Sequence, residues 1–258
     1  MKNLFFIVFI IFLSSSLMAQ NQDKFEARTY VQGADTLLYR VLMPEAFDPQ
    51  KEYPVLFFLH GAGERGDDNQ SQLIHGSKLF LDSNNRQKFP AIVIFPQCPA
   101  DSYWSNVEFP MIDGKRTFKF ATRGKPTLPM KLLTGLVKEM KAQPHTDNER
   151  FYVGGLSMGG MGTFEILRRM RGDFAAAIAI CGGDNPKNVR KYRKTPLWIF
   201  HGAKDDVVLP AYSEAVVEGL KKKGADVKFT LYPEANHNSW DNAFAEPDLL
   251  PWLFSHED

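Results

Sequence analysis

The chain alternates between short runs that are apolar at every position and longer stretches whose apolar residues recur every three or four positions. Val55-Leu56-Phe57-Phe58-Leu59-His60, Ala91 to Pro96, Phe151 to Gly154, Ala175 to Cys181 and Leu197 to His201 are of the first kind, and Val227 to Tyr232 is a more mixed example. A run without polar alternation suits a strand covered on both faces, as in a parallel sheet. Met130, Leu133, Val137 and Met140 fall at helical spacing, as do Tyr212, Val216 and Leu220. The segment opening at Met158 closes with Arg168, Arg169 and Arg171 ahead of Gly172, cations and a glycine where a helix stops. Upstream, Phe25 to Tyr30 and Thr36 to Met43 read as two strands joined at Gly33-Ala34-Asp35, an antiparallel edge. Strands and helices in alternation predict a doubly wound α/β sheet.

Two segments stand outside this rhythm. Lys2 and Asn3 precede the apolar run Leu4 to Leu13, and Ser14-Ser15-Ser16-Leu17-Met18-Ala19 follows, the layout of a secretory signal peptide cleaved after Ala19. The run falls short of the ~20 residues that a bilayer span requires. The expectation is a leader at 1–19, a single domain over 20–258, no stable membrane anchor, and a secreted or periplasmic location. From Ser105 to Pro126 no period is visible, and Lys115, Arg116, Lys119, Arg123 and Lys125 stand among Phe109, Phe118 and Phe120. This reads as an insertion or long loop near the active face.

Composition narrows the function classes. With 258 residues, 44% hydrophobic and 24% charged, the chain is an ordinary globular one, large enough to bury a substantial core. A formal net charge of +1 lacks the basic excess of a nucleic-acid binder. Only two cysteines, Cys98 and Cys181, occur, with no CxxC or HExxH, so neither a disulfide scaffold nor a metal motif is indicated, and no cofactor is expected. Nothing in the pattern sets an oligomeric state.

The chemistry concentrates at Gly155-Leu156-Ser157-Met158-Gly159-Gly160, a G-x-S-x-G between the strand at Phe151 and the helix from Met158. That setting is a nucleophile elbow: a sharp turn, cleared by its glycines, that lifts a serine hydroxyl above the sheet. A serine needs a base, and the base an orienting acid. In this arrangement the chain order is serine, acid, histidine. Of the histidines after Ser157, His201 precedes the acid candidates and His256 lies in the polar tail. His237 follows the last strand in a loop and is the expected base. The strand at Leu197 runs into Gly202-Ala203-Lys204-Asp205-Asp206, which offers Asp205, with Asp206 as its rival and Asp184 and Glu234 as outside candidates. Gly61-Ala62-Gly63 follows the strand at Val55, where glycines let amides approach a substrate oxygen. Met158 and Ala62 are the expected oxyanion donors, Gly63 the alternative to Ala62. Glu64 and Arg65 come next and are expected to pair with each other and brace the loop.

On these residues the chain resembles the α/β-hydrolase superfamily, and within it the secreted esterase and "predicted peptidase" group related to feruloyl and acetyl-xylan esterases. The matching stretches are Tyr39-Arg40-Val41 through Pro44, Tyr53-Pro54-Val55, Leu59-His60-Gly61-Ala62-Gly63-Glu64-Arg65-Gly66, Pro96-Gln97-Cys98-Pro99, Gly155 to Gly160, His201-Gly202-Ala203-Lys204-Asp205 and His237-Asn238-Ser239-Trp240. The resemblance implies a mostly parallel central sheet of about eight strands with helices on both faces and no large cap domain. It implies a serine hydrolase with Ser157, Asp205 and His237 as its triad, acting on small-molecule or carbohydrate esters without metal or cofactor. A serine peptidase and a non-catalytic glycan-binding relative are the alternatives. Trp104 and Trp240 lie on loops at the expected active face, where an aromatic ring can stack on a sugar or a phenolic acyl group. In the superfamily's usual strand order, the strands leading to Cys98 and Cys181 are separated by two others. Three spacings of ~4.8 Å put the strand ends roughly 14 Å apart. A bridge needs Cα atoms within about 7 Å, so both thiols are expected to be free.

Overall fold

The structure, a computed structural model, describes residues 24–258. The leader expected at 1–19 lies outside the described residues. In chain order the strands are β1 (Glu26–Gln32), β2 (Asp35–Leu42), β3 (Tyr53–Leu59) and β4 (Ile92–Pro96), then the two-residue strands β5 (Val107–Glu108), β6 (Met111–Ile112), β7 (Lys115–Arg116) and β8 (Lys119–Phe120), then β9 (Thr146–Leu156), β10 (Ala176–Ile180), β11 (Leu197–Gly202) and β12 (Val227–Tyr232). The helices are α1 (Ser77–Leu81), α2 (Ser83–Lys88), α3 (Leu128–Lys141), α4 (Met158–Arg169), α5 (Ala211–Lys221), α6 (Trp240–Phe244) and α7 (Leu249–Phe254).

Eight strands form one sheet in the order β1-β2-β4-β3-β9-β10-β11-β12. β1 and β2 pair antiparallel, β2 meets β4 antiparallel, and the remaining pairings are parallel. This is the expected antiparallel edge on a parallel sheet. The uninterrupted apolar runs have a direct cause, since alternate residues of each central strand enter different cores. Val55, Phe57 and Leu59 pack with the apolar faces of α3, α4 and α5. Leu56 and Phe58 pack with Phe80 of α1, Ala243 of α6 and Leu250 of α7. β12, at the sheet margin, is only half covered, which is why its sequence is mixed.

Residues 105–126 are not a featureless loop. β5 pairs with β8 and β6 with β7, two antiparallel ladders nested around a turn at Asp113-Gly114, where both residues have positive φ. Strands of two residues are too short to leave a period in the sequence. Phe118 and Phe120 are buried against Met161 of α4 and Val208. The returning arm is tied down through its carbonyls: Asn185 donates to Phe120 O, Asn188 to Ala121 O, Lys191 to Thr122 O and Arg169 to Gly124 O.

Cys98 and Cys181 are buried and free. The strands that lead to them, β4 and β10, are separated in the sheet by β3 and β9. Burial pushes the Cys98 thiol up to about 12.

Candidate active site

Ser157 sits between the end of β9 and the start of α4 with φ 53° and ψ −115°, a conformation that costs a side-chain-bearing residue strain. Its neighbours show what the sharp turn demands. A Cβ on Gly155 would stand 2.5 Å from Gly159 O, and one on Gly159 only 1.9 Å from Leu59 O. Both glycines are therefore required by backbone passing backbone. The serine amide donates to Ile180 O, which fixes the turn to β10.

The Ser157 hydroxyl lies 2.9 Å from His237 Nε2, and His237 Nδ1 lies 2.8 Å from Asp205 Oδ2. His237 arrives on the loop after β12, which crosses directly over Gly202, where a Cβ would stand 2.3 Å from Asn236 O. Lys204 N donates to Ala235 O and holds that crossing. Asp205, with no exposed side-chain surface, accepts from the amides of Val207 and Val208 through Oδ1 at 3.0 and 2.9 Å. Burial alone would raise its carboxyl, but His201 at 3.2 Å and the bonds from His237 and Val208 outweigh it and hold the group well below the usual carboxylate range. Asp206 is exposed, Glu234 is exposed and held by Lys204, and Asp184 is buried against Tyr192 and Asn188. Of the acids weighed, Asp205 alone among them is bonded to His237. With a donor-acceptor chain of this geometry, a hydroxyl proton can move to an imidazole whose other nitrogen is fixed by a carboxylate.

His201, passed over as the base because it precedes Asp205 and Asp206, supports the acid instead. It is fully buried, its Nε2 stands 3.2 Å from Asp205 Oδ2 and 2.7 Å from Val208 O, and its Nδ1 meets Ser213 Oγ at 2.8 Å. The i, i+4 spacing of His201 and Asp205 across the turn at Gly202 was the available signal.

The loop after β3 is equally fixed. His60 is buried, contacts Gly61 O through Nδ1 at 2.6 Å and accepts the Cys98 amide at Nε2. Burial lowers its imidazole to about 4, so it stays neutral with the proton on Nδ1. Arg65 donates to Ala62 O at 2.9 Å and to Ser102 O at 3.1 Å. The expected Glu64–Arg65 pair does not form: the guanidinium is taken up by these carbonyls, and Glu64 turns instead toward His75. Ala62 lines a cavity of about 370 Å³ together with Ser157, His237, Tyr103, Phe109, Arg116, Phe118 and Trp240. Met158 opens α4, so its amide has no intrahelical acceptor.

The two tryptophans part company. Trp240 lines the cavity with its ring centre 5.5 Å from that of His237. Trp104 does not reach the cavity; it is fully buried, its ring centre 5.5 Å from that of His60 and its Cβ 2.6 Å from where a Cβ on Gly162 would stand. Its loop turns inward because α4 offers a glycine there. Residues 105–126 supply the aromatic wall instead, through Phe109 and Phe118, with the Arg116 guanidinium 4.1 Å above the Phe109 ring.

Cys181, Asp205 and His237 place ligand-type atoms within 4.8 Å of one another. Burial drives the Cys181 thiol far up, so it is held protonated, and the other two are bonded to each other. This donor set fits a proton relay rather than a metal. Among the described residues no helix is long and apolar enough to cross a membrane.

A strand–serine–helix elbow in a mostly parallel eight-stranded sheet flanked by helices defines an α/β hydrolase. The profile of the dienelactone hydrolase family matches residues 114–248, and the chain belongs to that family. It is 26% identical over 200 residues to lysophospholipase-like protein 1 of Mus musculus, covering 70% of this chain and 79% of that protein. It is 35% identical over 92 residues to the bifunctional acetylxylan esterase/xylanase of Neocallimastix patriciarum, 35% of this chain and 13% of that one. The crystal structure of a thermostable esterase superposes with a TM-score of 0.82 at 30% identity, over 93% of this chain. The chain spans 64% of that esterase's length.

Proposed function

We propose that the protein is an exported serine carboxylesterase that works through an acyl-enzyme on small or carbohydrate-linked esters of the acetyl or feruloyl type. The observation that carries this reading is the unbroken path from Ser157 Oγ to His237 at 2.9 Å and from His237 to Asp205 at 2.8 Å, opening on the 370 Å³ cavity. Ser157 Oγ attacks the ester carbonyl while His237 Nε2 takes its proton, and Asp205 keeps the imidazole oriented and balances its charge. The carbonyl oxygen, now anionic, accepts from the amides of Met158 and Ala62, each typically worth ~3 kcal/mol in the transition state. His237 then passes its proton to the departing alcohol. Water, deprotonated by His237 in turn, cleaves the acyl-enzyme, releases the acid and restores the serine.

The esterase names of the relatives favour this chemistry, and the aromatic wall of Tyr103, Phe109 and Phe118 suits an acyl group that is flat or short. Export is supported by the leader pattern ending at Ala19. Hydrolysis of 4-nitrophenyl acetate and methyl ferulate by the mature chain, beside Ser157→Ala, is the test. A loss of ~10⁴-fold or more in the variant is expected. Equal activity in the two proteins overturns the reading.

A further inference from the structure

Beyond the Ser157–His237–Asp205 path, the cavity contains a carboxyl group without a donor. Glu64 is 9% exposed and lines the cavity, and its Oε2 has no hydrogen-bond partner. Its Oε1 stands 3.7 Å from His75 Nε2, too far for a hydrogen bond. A buried carboxylate oxygen left without a donor is costly. It lies beside the reaction centre: a Cβ on Gly61 would meet Glu64 Oε2 at 2.9 Å and Ser157 Cβ at 3.8 Å.

The side of the cavity on which this happens identifies the part of the substrate involved. In the esterase reading, on which this inference rests, His237 protonates the leaving alcohol, so the alcohol lies on the His237 side. Trp240 continues that wall, its ring centre 5.5 Å from that of His237 and 5.1 Å from that of His75. His75 in turn faces Glu64. Phe109 and Phe118 line the same cavity. We propose that Glu64 and His75 together recognise a hydroxyl on the alcohol next to the scissile ester, so that the enzyme selects esters of polyhydroxylated alcohols, sugar rings included. Glu64 Oε1 and His75 Nε2 stand 3.7 Å apart, so a hydroxyl set beside the pair, within hydrogen-bond reach of both, donates to Glu64 Oε1 and accepts from His75 Nε2. Trp240 offers a face to the ring that carries it. An alkyl alcohol offers Glu64 Oε1 no donor, and a site of this kind discriminates strongly against a substrate lacking the hydroxyl.

The test compares kcat/KM for a mono-O-acetylated methyl xyloside and for cyclohexyl acetate, which has a six-membered ring and the same acetyl group but no hydroxyl. The wild type is expected to prefer the xyloside ester. In Glu64→Leu the ratio of the two values falls about 10- to 100-fold, the worth of a hydrogen bond to a charged group. In Glu64→Gln, which still accepts without the charge, it falls less. A role confined to bracing the loop lowers both values by one factor, and that unchanged ratio overturns the proposal. Should Glu64→Leu fail to fold, His75→Leu is read the same way, with a fall of about tenfold expected. A wild type active on both esters without preference overturns this proposal alone. A wild type inactive on both overturns the esterase reading and this proposal with it.

Discussion

Both carboxylate oxygens of Asp205 are occupied, Oδ1 by the amides of Val207 and Val208 and Oδ2 by His237, with His201 3.2 Å away. Its carboxyl titrates lower in the folded chain than in the unfolded one, so the stability it contributes is present above its unfolded value, about 4, and is lost as pH falls through the lower folded value. Asp205→Asn is therefore expected to be less stable than the wild type at pH 7, with the gap narrowing below about pH 4 in urea titrations. The same variant loses ~10⁴-fold in turnover if the imidazole tautomer is set here. A gap that does not change with pH contradicts this role. The elbow glycines make a sharper steric statement. Gly159→Ala drives a Cβ to 1.9 Å from Leu59 O, backbone that cannot move aside, whereas a Cβ on Gly63 meets nothing within 4 Å. Thermal melts should show Gly159→Ala destabilised by more than about 4 kcal/mol or unfolded, and Gly63→Ala within about 0.5 kcal/mol of the wild type.

The 105–126 segment lines the cavity through Phe109, Arg116 and Phe118 and depends on other elements for its position. Tyr212 of α5 accepts the Phe118 amide, and four side chains outside the insertion hold the carbonyls of Phe120, Ala121, Thr122 and Gly124. Asn188, fully buried, joins this clamp to Asp184 through its amide nitrogen. Asn188→Ala leaves those acceptors unpaired and is expected to cost about 1–3 kcal/mol, with faster amide exchange confined to residues 117–124. Uniform exchange across the sheet would contradict a local clamp. Asp184 itself is raised to about 6, chiefly by burial, against the opposing bonds from Asn188, Asn185 and Tyr192. An acid raised in the folded state contributes stability that is full below its unfolded value, about 4, and lost as pH rises through about 6. Asp184→Asn, uncharged throughout, should gain on the wild type between pH 3 and pH 7, by about 3 kcal/mol at most. A constant difference across that interval would exclude the titration.

Strands covered on both faces announce themselves, which is why the sheet was legible from apolar runs alone and β12, half covered, less so. The elbow was legible because its glycines are demanded by backbone contacts at fixed spacing. What escaped depended on contacts between distant segments. Trp104 was read as a rim residue because nothing local reveals that Gly162, 58 positions on in sequence, leaves space for its ring. The hairpins of the insertion have strands too short to show a period, and the orphan oxygen of Glu64 exists only once Arg65 has turned to carbonyls. For the molecule as a whole, two free buried cysteines predict a melting temperature unchanged by reductant, and the proposed leader predicts that exported protein begins at Gln20 by intact mass. Covalent trapping reaches the proposed nucleophile itself. Treatment with a fluorophosphonate, followed by intact mass and peptide mapping, should give one adduct, on Ser157, absent in Ser157→Ala and slow to form in His237→Ala. An adduct on another residue, or undiminished ester hydrolysis with Ser157 unlabelled, would contradict the assignment.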